Sequence, residues 1–118
     1  MNREGLIYAA KQAALSLVET GRQTPAPAKV RVMGRDGVAN FRGLLDNMQK
    51  GGFISDHDRY LGDKVAYVLS GGMVDINTEV DEQYLLDLER HAFLEVCRTP
   101  KTLERMQAML NTGKPLRN

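Results

Sequence analysis

The sequence predicts an all-α fold, a small irregular bundle of about five helices with one extended proline-containing connector. Three observations lead there. Apolar residues recur at helical spacing in five stretches. Glycine and proline punctuate the chain between those stretches. No two alternating apolar runs are long enough to make a self-sufficient sheet. At 118 residues one domain is expected, covering 1–118.

The first stretch, Arg3 to Glu19, carries Leu6, Ile7, Ala10, Ala13, Ala14, Leu17 and Val18, one apolar stripe on a helix. Gly21 ends it, because a left-handed C-terminal position suits glycine. Thr24-Pro25-Ala26-Pro27 cannot continue a helix and forms a stiff connector. Residues 21–34 are therefore a candidate hinge, across which helix one docks separately from the rest. Val30 and Val32 alternate with Lys29 and Arg31, yet no partner strand is evident, so extended coil is expected.

A second helix is expected from about Arg35 to Met48, with Val38, Phe41, Leu44, Leu45 and Met48 on one side, ended by Gly51-Gly52. Ser55 is a natural N-cap for a third, and Asp56 and Asp58 suit the positive end of its dipole. Leu61, Val65, Val68 and Leu69 form its stripe, and Ser70-Gly71-Gly72 stops it. The longest helix is expected from Glu79 to Arg98, capped by Thr78. Leu85, Leu88, Ala92, Phe93 and Val96 form its stripe, and Leu86 and Leu94 widen it toward a second contact. Thr99 and Pro100 open the last helix, Leu103, Met106, Met109 and Leu110 are expected to face inward, and Gly113 and Pro115 end it.

Hydrophobic residues are 42% and charged residues 26%, too apolar for a disordered chain. A net charge of +1 gives no global field to recruit nucleic acid or an acidic membrane. The charge is uneven along the chain. Six basic residues stand against Glu4 and Glu19 up to Arg35, whereas Asp75 to Glu95 holds seven acids and only Arg90. The lone Cys97 lies in an apolar helical run and is expected to be buried and inert. That fits a reducing compartment. No apolar run approaches membrane-spanning length, and Met1-Asn2-Arg3-Glu4 lacks the long apolar region of a signal peptide. A cytoplasmic location is expected.

No residue is assigned a catalytic or metal-binding role. His57, between Asp56 and Asp58, reads as the polar first turn of a helix, since no second His or Cys stands at ligand spacing. His91 and Asp87 read as a surface pair one turn apart. Asp81, Glu82, Asp87, Glu89 and Glu95 mix faces of one helix, which reads as a solvated surface. Gly51-Gly52 and Gly71-Gly72 follow helices, whereas a phosphate cradle precedes one. Gly34-Arg35-Asp36-Gly37 has a weak loop-to-helix character, opposed by its carboxylate. Lys50, Arg59, Lys64, Lys101 and Lys114 lack interleaved aromatic residues, so nucleic-acid binding is not expected. Met106 and Met109 read as core fill.

Several longer strings carry a family likeness. They are Val32-Met33-Gly34-Arg35-Asp36-Gly37, the run from Asn47 through Gly51-Gly52 to Asp58, the run from Lys64 to Gly72, the run from Glu82 to Arg90, and Pro100-Lys101-Thr102 with Thr112 to Asn118. Together they resemble the extreme C-terminal region of the long bacterial 3-hydroxyacyl-CoA dehydrogenases of fatty-acid β-oxidation. In that family an NAD-binding dehydrogenase part is followed by a crotonase-like enoyl-CoA hydratase part.

The resemblance implies a C-terminal fragment of a larger, NAD-dependent enzyme acting on coenzyme A thioesters. Its partner would be the upstream crotonase-like core, and its work structural, in covering that core or in assembly, including homo-oligomer formation. The chain itself has no dinucleotide fingerprint and none of the family's catalytic residues, so no catalysis and no cofactor are expected of it alone. An independent helical module for protein interaction or self-association is the alternative. Its acidic stretch and basic ends would then be recognition surfaces.

Overall fold

The computed structural model describes residues 5–118. Its elements run α1 (Leu6–Glu19), β1 (Lys29–Arg31), α2 (Gly34–Lys50), α3 (Asp56–Leu69), β2 (Glu79–Asp81), α4 (Glu82–Cys97) and α5 (Pro100–Thr112). The architecture is predominantly helical, as expected, with a two-stranded antiparallel ribbon added. The expected start of the first helix at Arg3 lies outside the described residues. Packing follows chain order, with α2 on α3, α3 on α4, and α4 on α5.

The core is a junction between two backbone segments. Val32 N–H donates to the Thr78 carbonyl at 3.0 Å, and Asn77 N–H returns a bond to Val32 O at 2.9 Å. Gly34 N–H reaches Ser70 O at 2.7 Å, and Arg35 N–H reaches Val74 O at 2.9 Å. These bonds satisfy the first amides of α2, which have no partner within their own helix. They also leave no room for an anion at Gly34-Arg35. Val38 and Ser70 are the largest fully buried side chains at this contact.

Such an approach needs residues without a Cβ. Gly34 sits at φ +58°, and a Cβ there would stand 2.1 Å from Val74 O. A Cβ on Gly37 would lie 2.7 Å from Ser70 Oγ. That hydroxyl is buried and has no hydrogen-bond partner among the described residues, a cost accepted where two helices meet this closely.

Two sequence expectations change here. Val30 is not in coil: Lys29-Val30-Arg31 pairs with Glu79-Val80-Asp81, Lys29 opposite Asp81 and Arg31 opposite Glu79. Opposite charges face each other across the ribbon, with Arg31 Nε 3.2 Å from Glu79 Oε1, and Val80 is buried beneath. The long helix consequently starts at Glu82, and its cap is Asp81, whose Oδ1 accepts from Tyr84 N–H at 2.8 Å. Thr78 does not cap it. Ser55 does cap α3, in a reciprocal box with Asp58.

The apolar residues of α5 do not face inward. Leu103, Met106, Met109 and Leu110 are all exposed, Leu110 at 81%. Only Thr102 of that helix is buried, because α5 is anchored by polar contacts at its first turn. Cys97 is half-buried.

Among the described residues, buried apolar side chains number only five: Val32, Val38, Ala66, Val80 and Ala92. The accessible surface is 9262 Å², whereas a compact monomer of this mass exposes about 6,400 Å². The radius of gyration is 20.3 Å, against roughly 13–14 Å for a compact domain of this length. The surplus is about 2,800 Å², and large apolar side chains such as Ile7, Val18, Leu69 and Leu110 are among those exposed.

Gly34→Ala should destabilise the chain by about 2 kcal/mol or more, since the new methyl meets a backbone carbonyl and the residue must hold a left-handed conformation. Gly62→Ala should stay within about 1 kcal/mol of the parent, because its Cβ meets only the flexible end of Leu45. Urea denaturation followed by far-ultraviolet circular dichroism compares the two. Equal losses would contradict the special role given to the Gly34 contact.

Candidate functional site

A groove of about 620 Å³ lies between α3 and α4. Helical spacing builds both walls. Leu61, Val65, Val68 and Leu69 come from α3, and Leu85, Leu86, Ala92, Phe93 and Val96 from α4. Apart from Leu88, which does not line the groove, the side chains expected as each helix's core stripe therefore do converge. They converge incompletely, leaving Val65 at 56% and Phe93 at 57% exposure. Leu86 widens the groove, as its place beside the stripe suggested, whereas Leu94 does not line it.

Polar groups edge this groove. Lys64 is strapped to Glu95, whose carboxylate raises the lysine's pKa and has its own lowered by the same hydrogen bond. Lys64 Nζ also lies 5.7 Å from the Tyr60 ring centroid. Glu82 and Glu89 line the groove with no ion-pair partner among the described residues. Apart from Lys64, Glu82 and Glu89, the lining is aliphatic and aromatic.

A second polar cluster joins the start of α3 to the start of α5. His57 lies in the first turn of α3, as expected, but is buried there: it stacks on Tyr60 at 5.8 Å between centroids, and places Nε2 3.0 Å from Thr102 Oγ1. Thr99 Oγ1 stands 2.7 Å from Thr102 Oγ1 and 2.8 Å from Val96 O. Thr99 therefore occupies the N-cap position of α5 without accepting from its amides.

Burial pushes the His57 pKa below 6.5, assisted by the positive charges of Arg105 and Lys101. Next to it, Arg105 Nη1 donates to Asp58 Oδ1 at 2.7 Å, and Arg105 Nε donates to Asn118 Oδ1 at 2.8 Å. The Arg105 hydrogen bond, then those from Ser55, hold the Asp58 carboxyl at about 2. His57 does not line the groove. Its geometry is that of a lock between helices.

The remaining candidates separate. His91 Nδ1 is 2.7 Å from the backbone carbonyl of Asp87, while the Asp87 carboxylate takes Gln83 at 2.9 Å and Arg90 at 3.6 Å. Arg59 joins Asp46 at 2.7 Å and Asp63 at 3.7 Å. Asp63 also receives Arg42 at 2.5 and 3.1 Å, which lowers its pKa. Lys50, Lys101 and Lys114 are exposed and outside the groove. Among the described residues no three His, Cys, Asp or Glu side chains come together as a metal site, and no helix is long and apolar enough to cross a membrane. Sequence reasoning missed the His57–Thr102 contact. Thr102 lies 45 residues away, and no periodicity links the two.

Comparison with known proteins finds the chain similar to the end of a much longer one. Over all 118 residues it is 48% identical to the C-terminal 15% of a probable 3-hydroxyacyl-CoA dehydrogenase of Bacillus subtilis (strain 168). The chain thus spans about 15% of the length of the relative it matches. No protein-family profile matches the chain, and no solved structure matches it.

Stability should fall in two steps on acidification. His57 has a folded pKa below its unfolded value, so the unfolded state binds a proton first and stability drops as pH falls below about 6.5. Asp58 has its folded pKa lowered to about 2 from 3.8, so its contribution is complete above about pH 4 and is lost between about pH 4 and 2. Denaturation midpoints measured from pH 8 to 2 should show both steps. His57→Gln should remove the upper one, and Asp58→Asn the lower one, at reduced overall stability. A single step that neither substitution moves would refute both assignments.

Proposed function

We propose that this chain is the helical C-terminal portion of a 3-hydroxyacyl-CoA dehydrogenase/enoyl-CoA hydratase of fatty-acid β-oxidation. In this reading it covers and stabilises the crotonase-like core and is not catalytic alone. One observation carries the reading: 48% identity over the entire chain to the C-terminal end of a protein bearing the dehydrogenase name. The physical support is the surplus surface. A chain of this mass exposing about 2,800 Å² beyond a compact monomer has enough unpaired surface for more than one standard interface.

The parent enzyme would handle NAD and the coenzyme A thioester in its upstream parts, in the cytoplasm. This segment would contribute rigid helices and apolar contact. Leu103, Met106 and Leu110 recur along one face of α5 at helical spacing and are exposed together. They are the side chains assigned to the core contact.

The test is complementation. The Bacillus relative is produced without its final 15%, alone and together with this chain. The two pieces should copurify, and enoyl-CoA hydration by the pair should exceed that of the upstream piece by about tenfold or more, or about 1.4 kcal/mol. Met106→Asp combined with Leu110→Asp places two charges on the apolar face of α5 and should abolish both effects. Hydration or NAD-linked oxidation by this chain alone would overturn the reading. So would an upstream piece that is fully active and does not bind the chain.

A further inference from the structure

Two of the exposed apolar surfaces among the described residues match each other. One is α1, every residue of which is exposed, with Ile7 at 82% and Val18 at 77%. The other is the groove between α3 and α4, lined by no residue of α1. We propose that α1 of one copy seats in the α3–α4 groove of a second copy, the two chains exchanging helices about a twofold axis.

Dimensions agree. The 14 residues of α1 make a rod of about 21 Å, and the α4 wall from Glu82 to Val96 rises about 21 Å. Charge agrees as well. Among the described residues, the groups of the groove without an ion-pair partner are the carboxylates of Glu82 and Glu89, whereas Lys11 is the one basic residue of α1. Lys11 lies near the middle of its helix and Glu89 at the middle of the wall, so a centred α1 brings them together.

The connector selects the partner's groove over the chain's own. Residues 20–28 link α1 to β1 and include Pro25 and Pro27. A proline-containing segment of nine residues reaches about 28 Å but bends reluctantly. It carries α1 outward, where a second copy can take it. Reciprocal exchange fills both grooves and closes the assembly, leaving no free site to propagate. A standard interface takes roughly 800 Å² from each partner, well within the surplus surface of one chain. The dimer stands or falls separately from the pairing with an upstream core, since α5 lies outside this groove.

Sedimentation equilibrium on the full chain tests the proposal, with Lys11→Glu, Glu89→Lys and the double substitution. All these positions are exposed, so folding is retained. The unchanged chain should be a concentration-dependent dimer. Each single substitution should weaken it about fivefold or more, and the double should return it to within about twofold of the parent. In a Cys97→Ser background, an Ala10→Cys copy mixed with a Leu86→Cys copy should form a disulfide between copies. A chain that stays monomeric overturns the proposal, as does a dimer indifferent to both charge changes. A cross-link formed within a single doubly substituted chain at a rate independent of concentration, with no cross-link between copies, also overturns it, because it would seat α1 in its own groove.

Discussion

The close backbone contact between the start of α2 and the segment after α3 is the constraint on which the rest depends. Four hydrogen bonds join Val32, Gly34, Arg35 and Asn77 to their partners across it, and Val38 and Ser70 are sealed beneath. It sets where α2 begins, because the Gly34 and Arg35 amides are satisfied by Ser70 and Val74 carbonyls and not by a capping side chain. It also aligns β1 with β2, since Val32 continues from β1 into the junction and Thr78 leads out of it into β2. Once β2 is placed, Asp81 starts α4, and α3 and α4 come to form the two walls of the groove.

Away from the junction, apolar burial gives way to polar fastening. The Arg42–Asp63–Arg59–Asp46 network links α2 with α3, Lys64–Glu95 links α3 with α4, and His57–Thr102 with Arg105–Asp58 links α3 with α5. The more exposed of these ion pairs contribute little each, whereas the part-buried Arg105–Asp58 pair and the buried His57–Thr102 contact carry more. They fix the direction of helices whose apolar faces stay open. That division is what a segment needs when its remaining contacts come from elsewhere, and it underlies both the covering role proposed for α5 and the helix exchange proposed for α1.

Much of this was legible in the sequence because it is local. Ser55 with Asp58 is a capping signal within four residues, Pro100 and Gly113 bound α5 by their own backbone preferences, and the stripes of α3 and α4 follow from spacing. The failures are non-local. Lys29-Val30-Arg31 and Glu79-Val80-Asp81 are complementary triplets, but Arg31 and Glu79 lie 48 residues apart, and each triplet alone is too short to read as a strand. Recognising the charge mirror between them would have found the ribbon and moved the α4 cap from Thr78 to Asp81. The burial of His57 is not legible from its acidic sequence neighbours, because a helix turn sends adjacent residues in different directions. The inward face expected of α5 rested on amphipathicity, which marks a helix side that seeks burial without saying what buries it. The groove was half visible in the same way. The periodicity of Leu85, Leu88, Ala92, Phe93 and Val96, widened by Leu86 and Leu94, identifies a broad apolar face, while its incomplete filling by α3 depends on how the junction sets the helices.

Amide hydrogen exchange, read residue by residue at a dilution where the chain is monomeric, tests the central claim most directly. Protection should be greatest at the amides of Val32, Gly34, Arg35 and Asn77, and least along α1 and the outer turns of α5. Equal protection across all five helices, or protection centred on α1, would contradict a fold organised around this junction.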